Sequence, residues 1–378
     1  MAEAACGPLR IGINALYLIP GGVGGTEIYL RSLLEALAAI DLRNEYFIYA
    51  NAETDSGLAP PSPRFHLVCT GVRARFRPGR ILSEQTVLPL LLRKNRIDVL
   101  LNPGFTGPVS FANRSVTVFH DLQHKRHSEY FRWFDLPFWN LLLWAMAKSS
   151  RLLIAVSQAT AADLARFYPS SRGKTVVIPH GVDEEFFRIA ERRASIRTPE
   201  PYLLTVSTLH PHKNLHRLLD AFSQFQLSHP EYRLIVAGLK GFAAQALEEK
   251  RRSTGLEGSV QFTGWIPREE IYRLFERAHA FIAPSEFEGF GMPLIEALAA
   301  GIPTACSAIP PFDELAGGGC ARFRPDSIEE MAQAMVLVSS DPDFRERATV
   351  TGPARARRFD WRGTAASTLR ALEQVSRG

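Results

Sequence analysis

Two acidic side chains, Glu288 and Glu296, lie eight positions apart in the stretch SEFEGFGMPLIEALAAGIP, residues 285–303. On one straight helix, eight positions would separate the two carboxylates by roughly 12 Å along the same face. The Gly-Phe-Gly turn and the proline between them instead allow the first acid to fold back over the start of the Ala/Leu-rich helix that carries the second. This arrangement suits a ligand held between two acids and a helix N-terminus.

Two further segments have the composition of anion-binding turns. Gly21, Gly22, Gly24 and Gly25 follow the first predicted strand and precede a helix, so their backbone amides would be open to a diphosphate. Lys213 begins another predicted helix, where its ammonium and the helix dipole would attract the same anion. For each segment taken alone, a plain tight turn or a solvated lysine explains the sequence at least as well.

The histidines and acids that could bind a metal ion lack the spacing of a metal site. His120 lies at the carboxyl end of a predicted strand, followed by His124 and His127, but no helical i, i+4 frame or fourth ligand accompanies them. The stretch DPD, residues 341–343, has the Asp-x-Asp pattern that holds a cation in some transferases, yet it lies between helical segments. There Asp343 is better explained as a residue that starts a helix, and we expect no metal ion.

Length and composition indicate a globular protein of two domains. The 378 residues exceed one ordinary core, and 46% hydrophobic with 22% charged residues excludes a disordered chain. The net charge of +5 without a long Lys/Arg run favours anionic small ligands or an anionic membrane surface and argues against nucleic acid. Four scattered cysteines, no visible signal peptide and no sufficiently long apolar stretch predict a cytoplasmic protein, soluble or peripheral at the inner face of the membrane.

Two successive series of strands and helices must position these residues. Short β-branched runs alternate with amphipathic stretches, which is the pattern of a parallel sheet covered by helices. The pattern restarts after a polar, proline-containing segment at 180–201 that we interpret as an interdomain connection. The sequence therefore predicts an α/β fold with two doubly wound, Rossmann-like domains, 1–183 and 184–360, followed by a helix at 361–378. Such sheets bind ligands at the carboxyl ends of their strands.

In this order, the glycine turn, His120, Lys213 and the Glu288–Glu296 pair resemble the pattern of family 4 of the retaining glycosyltransferases, the group 1 enzymes with the GT-B fold. The similarity covers nearly the whole chain, and its most specific stretch is PSEFEGFGMPLIEALAAGIP. Further matches are VSTLHPHKN, PHGVD, AVSQATAADLARFY and RARRFDWRGTAASTL. The resemblance implies two domains facing across a cleft, an N-terminal acceptor side, a C-terminal nucleotide-sugar side, and a last helix that packs back toward the N-terminal domain.

The resemblance also implies a role for each matching position. Glu288 would hold hydroxyls of the donor sugar, and Glu296 would accept hydrogen bonds from the ribose. Lys213 would hold the diphosphate under the Gly22 loop, and His120 would lie beside the donor sugar. The implied catalytic residues are thus His120 and Glu288, and the implied nucleotide-sugar site comprises Gly21, Gly22, Gly24, Thr208, His212, Lys213, Gly264, Trp265, Ile266, Gly289, Phe290, Gly291, Met292, Pro293, Leu294 and Glu296.

The implied chemistry is transfer of a sugar with retention at the anomeric carbon, through an oxocarbenium-like transition state. Lys213 and helix N-termini would stabilise the nucleoside diphosphate leaving group, so neither a metal ion nor another cofactor is expected. In same-face attack the departing phosphate helps to take the acceptor proton, and Glu288 is therefore not assigned as a nucleophile. GDP-mannose is the candidate donor, because the GGTE and HDLQH segments resemble those of mannosyl-transferring members, while UDP-sugars remain alternatives.

One position departs from the family pattern. Many members carry a second cation, often arginine, beside the lysine or a few residues before it. This chain has His212 and Thr208 at those two positions. The diphosphate would then be held less firmly, and its affinity would depend on pH if His212 titrates near neutrality.

The acceptor is indicated only by composition. Trp133, Trp139 and Trp144 crowd one segment near the basic HKRH stretch, and the arginines of GVRARFRPGR, residues 71–80, precede it. Most of these aromatic residues are expected in the core, but aromatic and basic residues together also seat proteins on anionic interfaces. They point to a glycan or lipid-linked acceptor at an anionic membrane, as in the synthesis of bacterial surface polysaccharides.

Three alternative functions remain open at this point. A nucleotide-sugar epimerase of the same fold would need no acceptor, and a non-catalytic subunit would bind the nucleotide-sugar without transfer. A dehydrogenase is disfavoured because the third glycine of a dinucleotide fingerprint would fall at Glu27.

Overall fold

The computed structural model describes residues 7–22, 24–130, 136–195 and 199–377. The chain divides into two compact units, the first formed by residues 1–181 together with 361–378 and the second by residues 182–360. The first boundary lies two residues before the one that the sequence predicts. Each unit has its own parallel sheet, and each sheet is covered by helices.

The strands of the described chain form two parallel sheets with equivalent strand orders. In the first unit the order is β3-β2-β1-β4-β5-β6-β7, and in the second it is β10-β9-β8-β11-β12-β13. The strands are β1 (Arg10–Ala15), β2 (Glu45–Ala50), β3 (Phe65–Cys69), β4 (Val99–Asn102), β5 (Ser115–Phe119), β6 (Leu152–Ala155), β7 (Thr175–Val177), β8 (Glu200–Val206), β9 (Arg233–Ala237), β10 (Val260–Gly264), β11 (Ala278–Ala283), β12 (Thr304–Ser307) and β13 (Ala321–Phe323).

The helices connect successive strands, and the last one belongs to the first unit. They are α1 (Gly25–Ile40), α2 (Arg77–Lys94), α3 (Gln123–Arg126), α4 (Leu136–Ser149), α5 (Gln158–Phe167), α6 (Glu184–Arg193), α7 (Leu215–Gln226), α8 (Ala244–Ser253), α9 (Arg268–Arg277), α10 (Met292–Ala299), α11 (Pro310–Ala316), α12 (Ile328–Ser340), α13 (Pro342–Ala356) and α14 (Trp361–Ser376). Within the first unit α14 packs against α1, and the hydroxyl of Thr364 donates to the carbonyl of Pro179 at 2.8 Å. None of the described helices is both long and apolar enough to cross a membrane.

Each sheet has a topological switch point, where neighbouring strands leave in opposite directions along the sheet. In the first unit it lies between β1 and β4, and in the second between β8 and β11. Loops that follow two such strands diverge and leave a crevice at the carboxyl edge, which is where doubly wound proteins bind ligands. The relevant loops are 16–24 and 103–107 in the first unit and 207–214 and 284–291 in the second.

The predicted interdomain connection at 180–201 contains the boundary between the two units, which falls between residues 181 and 182. Part of this segment is helix α6, in which Asp183 caps the N-terminus by accepting from the amide of Glu185 at 3.1 Å. Phe186, Phe187 and Ile189 form its buried face. Helix α6 was not predicted, because the many charged residues of EEFFRIAERR conceal an apolar face that only three side chains form.

Candidate functional site

Lys213 and Glu288 meet at the switch point of the second sheet. Lys213 ends a short 3-10 turn, Pro211–Lys213, in the loop after β8, and Glu288 lies in the loop after β11. The ammonium Nζ of Lys213 is 2.6 Å from Oε1 of Glu288, which also accepts from the hydroxyl of Ser285 at 2.8 Å. Both side chains are mostly buried, with 18% and 16% of their surface exposed. The fold thus brings together a cation and a carboxylate that are 75 positions apart in the sequence.

Asn214 ties the two loops of this switch point together. Its backbone is left-handed, with φ of 57°, a conformation that asparagine tolerates better than most residues. Its side-chain amide donates to the carbonyls of Pro284 at 3.0 Å and Pro325 at 2.6 Å. Sequence analysis assigned Asn214 no role, although an asparagine directly before a helix is a recognisable signal for such a turn.

Glu286 adds a second link between these loops. Its amide donates to the carbonyl of His212 at 2.9 Å, and its carboxylate forms an ion pair with Arg217 on α7. Arg217 also donates to the side-chain oxygen of Asn214 at 3.1 Å. The position of Lys213 beside Glu288 is therefore fixed by hydrogen bonds on both sides.

The N-terminus of α10 follows Glu288 directly. Gly291 precedes the helix with φ of 109°, and a Cβ there would lie 2.6 Å from the Phe312 ring, so only glycine fits. Pro293 occupies the first turn, where a missing amide hydrogen costs nothing. Gly289, Phe290, Gly291, Met292 and Leu294 are all buried. Because their side chains are buried, these positions can offer a ligand only their backbone groups.

Glu296 lies one turn into α10 and is 2% exposed. Its Oε1 accepts from the guanidinium of Arg268 at 2.7 Å. Arg268 in turn lies over the rings of Phe186 and Tyr272, each 5.0 Å away. Burial raises the pKa of Glu296, and the Arg268 guanidinium opposes this shift. Sequence analysis did not identify Arg268, because the pairing depends on the packing of α9 against its own unit.

The remaining predicted residues of the second unit lie in loops at the same edge of the sheet. Thr208 is half-buried, and its carbonyl accepts from the amide of His210 at 2.8 Å. His212 is buried, with its ring stacked 5.8 Å from that of His210. Gly264 ends β10 with φ of 71°, after which Trp265 is exposed and Ile266 half-buried. A small cavity at this edge is lined by residues that include Thr205, Ser207, Ser285, Glu288, Gly291 and Phe312.

The glycine turn of the first unit is partly satisfied by the chain itself. The amide of Gly21 donates to Glu27 at 2.8 Å, and that of Gly22 donates to the carbonyl of Ile19 at 2.8 Å. Gly24 precedes α1 with φ of 58°, and a Cβ there would meet no atom within 4 Å. A side chain at Gly24 would therefore meet no neighbouring atom, whereas the Gly21 and Gly22 amides would have to exchange partners to bind a ligand.

His120 follows β5 and is buried among aromatic rings. Its Nε2 lies 2.7 Å from the carbonyl oxygen of Pro103, so this nitrogen donates and Nδ1 is left as an acceptor. The rings of Tyr29 and Phe105 contact it edge-on, at 4.9 and 5.4 Å. Burial lowers the pKa of His120 to about 4, which keeps the imidazole neutral at physiological pH.

The other two histidines of this segment form local contacts. His124 is buried and its Nε2 lies 2.7 Å from the hydroxyl of Tyr168, while His127 Nδ1 lies 3.0 Å from Glu129. In the described parts of the chain, no three His, Cys, Asp or Glu side chains form a cluster that could hold a metal ion. The DPD stretch starts helix α13, with Asp341 as the cap that accepts from the amide of Phe344 at 2.7 Å.

Two family models match the chain over consecutive regions. The model described as "Glycosyltransferase Family 4" matches residues 23–186, and "Glycosyl transferases group 1" matches residues 187–355. The O-antigen chain mannosyltransferase B of Escherichia coli is 27% identical over 78% of this chain and 83% of its own length. The O-antigen chain mannosyltransferase RfbU of Salmonella typhimurium is 26% identical over 74% of this chain and 76% of its own length.

Solved structures share the fold over almost the whole chain. Sucrose-phosphate synthase from Thermosynechococcus elongatus superposes with a TM-score of 0.79 at 21% identity, covering 97% of this chain and 99% of its own. WaaG, a glycosyltransferase involved in lipopolysaccharide biosynthesis, gives 0.76 at 16% identity, covering 97% and 100%. At these identities the comparison establishes the two-domain arrangement of Rossmann-like sheets, the GT-B fold, and nothing further.

Proposed function

We propose, since the chain belongs to the family 4 glycosyltransferases, that it transfers a hexose from a nucleoside diphosphate sugar to a glycan or lipid-linked acceptor. We further propose that transfer proceeds with retention at the anomeric carbon and without a metal ion. The observation that carries this proposal is the Lys213–Glu288 pair beside the N-terminus of α10. It supplies a cation for a diphosphate and a carboxylate for a sugar hydroxyl within one hydrogen bond of each other.

Binding of the donor would exchange the partners of this pair. The diphosphate would take the Lys213 ammonium, for which phosphate is a stronger partner because it carries more charge. The Glu288 carboxylate would then be released toward a sugar hydroxyl, while Ser285 continues to hold it. The ion pair therefore holds both charged groups in position when no ligand is bound, and both groups can bind the ligand when it arrives.

Departure of the leaving group needs stabilisation of negative charge. Lys213 and the dipole at the N-terminus of α10 would provide it where the charge develops. The anomeric carbon meanwhile becomes positive, as in other glycosyl transfers. A neutral His120 suits this position because an imidazolium there would repel that charge, and its Nδ1 can accept a hydrogen bond from a hydroxyl of the sugar. The departing phosphate would take the proton of the attacking hydroxyl.

The relatives favour mannose as the transferred sugar. Two of them are named O-antigen chain mannosyltransferases. A third, from Mycobacterium tuberculosis, is a GDP-mannose-dependent phosphatidylinositol dimannoside mannosyltransferase, 33% identical over 52% of this chain and 52% of its own length. On this basis GDP-mannose is the donor to test first, with surface polysaccharide as the class of product.

Calorimetric binding of GDP, UDP, ADP and NAD, each in the presence of EDTA, tests the proposal. We expect one nucleoside diphosphate to bind without a metal ion, and Lys213→Gln to weaken that binding. The corresponding nucleotide-sugar is then incubated with and without acceptor glycans, because an epimerase would convert it without any acceptor. Binding of NAD alone, or binding that returns only when metal is restored, would contradict the proposal.

We also propose that the first unit contacts an anionic membrane through helices α2 and α4. Exposed apolar residues lie on both helices: Leu82, Val87 and Leu90 on α2, and Phe138, Leu141 and Trp144 on α4. Basic groups accompany them, with Lys148 lying 4.9 Å over the Trp144 ring and Arg77 lying 5.3 Å over that of Trp139. Trp133 lies outside the described residues.

Sedimentation with vesicles tests this contact. Trp139 is half-buried and packs against the core of its unit, so Leu141 and Trp144 are the cleaner positions to change. The double variant L141E/W144E is expected to stay in the supernatant when anionic vesicles are sedimented. The control Leu227→Glu, at an exposed leucine of the second unit, should still sediment with the vesicles. Equal sedimentation of wild type and double variant would refute the contact.

A further inference from the structure

The loop at residues 103–107, sequence PGFTG, makes the contacts that hold His120. The Pro103 carbonyl accepts from His120 Nε2 at 2.7 Å, and the Phe105 ring lies edge-on to the imidazole at 5.4 Å. The carbonyl fixes which ring nitrogen carries the proton. The loop therefore determines both the orientation and the tautomer of His120.

This loop adopts a backbone conformation that its sequence disfavours. Phe105 has φ of 67°, in the left-handed region that residues with a bulky side chain rarely enter. Such conformations persist only where the surrounding structure imposes them, and they are concentrated at functional sites. Some other group must therefore hold the loop in place.

Two neighbouring residues of α2 hold it: Gln85, whose side-chain amide donates to the Gly107 carbonyl at 2.8 Å, and Glu84, which binds next to the left-handed residue. The Oε1 of Glu84 accepts from the hydroxyl of Thr106 at 3.0 Å and from the side-chain amide of Asn14 at 2.6 Å. Asn14 also donates to the carbonyl of Thr106, at 3.1 Å. Glu84 and Asn14 thus fix Thr106 at both its side chain and its backbone, directly after the left-handed residue.

Glu84 is a buried acid that uses only one of its two carboxylate oxygens. The side chain is 1% exposed, and its Oε2 has no hydrogen-bond partner among the described residues. The guanidinium of Arg80, one turn earlier on α2 and 6% exposed, opposes the effect of burial on the pKa of Glu84 but does not hydrogen-bond to it in the described structure. A buried carboxyl group with one oxygen that accepts no hydrogen bond lowers the stability of the fold. Burial also raises the pKa of Glu84.

We propose that Glu84 is a positioning residue for His120. Through Thr106 and Asn14 it holds the 103–107 loop in its left-handed conformation, which keeps the Pro103 carbonyl on Nε2 and leaves Nδ1 as the acceptor for a donor-sugar hydroxyl. The role of Nδ1 rests on the proposed function, whereas the control of the tautomer does not. Glu84 itself touches neither the imidazole nor, on this proposal, the substrate.

Two variants test the proposal, with one matched control. Thr106→Val keeps the size of the side chain and removes the hydroxyl that binds Glu84, and Glu84→Met removes the carboxyl group. The control is Asp41→Asn, because Asp41 is also a buried carboxylate of the first unit but is fully hydrogen-bonded to Tyr46, Asn44 and Arg43 at the end of α1. If Glu84→Met fails to fold, Thr106→Val alone carries the test.

For both variants we expect kcat to fall about 10- to 100-fold with little change in the KM of the donor. The affinity for the nucleoside diphosphate should be unchanged, because among the described residues Glu84 and Thr106 make no hydrogen bond to Lys213 or to the glycine turn. In NMR spectra of protein with ¹⁵N-labelled histidine, the signals of His120 are identified by their loss in His120→Gln. In both variants these signals should show a mixture of tautomers, whereas in the wild type they should show only the tautomer with the proton on Nε2. Asp41→Asn should lower stability and alter neither kcat nor these signals.

Wild-type kcat and wild-type His120 signals in Thr106→Val would overturn the proposal. So would a fall in kcat with unchanged His120 signals, because Glu84 would then act by another route. If the wild-type protein transfers no sugar from any nucleotide-sugar, the proposed function fails, while the spectra still decide whether Glu84 controls the tautomer of His120.

Discussion

The two units share one strand order but place different chemistry at their switch points. At the first, His120 is a neutral imidazole among aromatic rings, and the buried acid Glu84 hydrogen-bonds to the neighbouring loop rather than to the ring. At the second, the charges occur in ion pairs, Lys213 with Glu288 close to Ser285, and Arg268 with Glu296 one turn into α10. The same topology therefore supports two kinds of switch point. We call the one around His120 the neutral edge and the one around the Lys213–Glu288 and Arg268–Glu296 pairs the charged edge.

On the proposed function, this difference follows from what each edge would bind. A diphosphate requires cations that are held in place before it arrives and that can exchange a partner when it does. A carbon that develops positive charge is better approached by neutral acceptors, because a cation nearby would raise its energy. The fold supplies the two crevices, and the residues in a few loops decide their chemistry.

The largest effect should come from breaking the charged edge at Glu288. Glu288→Ala is expected to reduce transfer at least ~100-fold, the usual scale for loss of a group that stabilises a transition state, while circular dichroism and the thermal midpoint change little. The matched control is Glu270→Ala, which removes an acid of the second unit that pairs with Arg273 at the surface of α9. Full activity in Glu288→Ala would remove this residue from the site.

Glu296 should matter for stability as well as for binding. Glu296→Gln leaves the Arg268 guanidinium without its buried partner, which costs about 3 kcal/mol in the free energy of unfolding. In the double variant E296Q/R268M the unpaired charge is gone, so urea unfolding should recover part of that loss while nucleotide affinity stays low. If the double variant regained full affinity, Glu296 would have no part in binding the ribose.

How far the sequence predicts this molecule depends on the range of the interactions. Lys213 and Glu288 were predicted from local patterns, a lysine at a helix start and an acid before a glycine-bracketed bend, and the structure places them in contact. Asn214 and its left-handed turn were not predicted, although their signal is local. Their partners, the carbonyls of Pro284 and Pro325, are 70 and 111 positions away.

The secondary structure shows the same limit. Helix α2 begins at Arg77, with Pro78 in its first turn, but the basic residues around this proline show no apolar period from which the start could be predicted. Strand β13 and helix α11 were not predicted, since three- and seven-residue elements are too short to show a period. Glu84 could not be recognised as part of a site, because its partners Asn14 and Thr106 are brought to it only by the assembled sheet.

The neutral edge predicts a particular loss of stability in acid. Burial lowers the pKa of both His120 and His124 to about 4, from 6.5 in the unfolded chain. The stabilisation from neutral burial is therefore complete above pH 6.5 and is lost as the pH falls toward 4. Between pH 7 and pH 5 this amounts to about 2 kcal/mol for each histidine. Urea unfolding at both pH values should show His124→Gln losing about that much less than wild type, and an equal loss would contradict the assignment.

The smallest predicted effect concerns the missing second cation at the charged edge. His212 is buried beside Lys213, and its backbone carbonyl accepts from the Glu286 amide. Because this hydrogen bond does not involve the side chain, an arginine at position 212 should leave the loop in place. At pH 8 His212→Arg should tighten nucleoside diphosphate binding about 3- to 10-fold, the effect of one added cation near a partly exposed phosphate.

The control for this prediction is His216→Arg, which adds the same charge at an exposed position on α7 and should change the affinity less. Calorimetry at low and high salt separates the two, because a contact within the loop is screened less than a distant charge. An unchanged affinity in His212→Arg would mean that the pairs around Lys213 already supply all the positive charge that this edge can use.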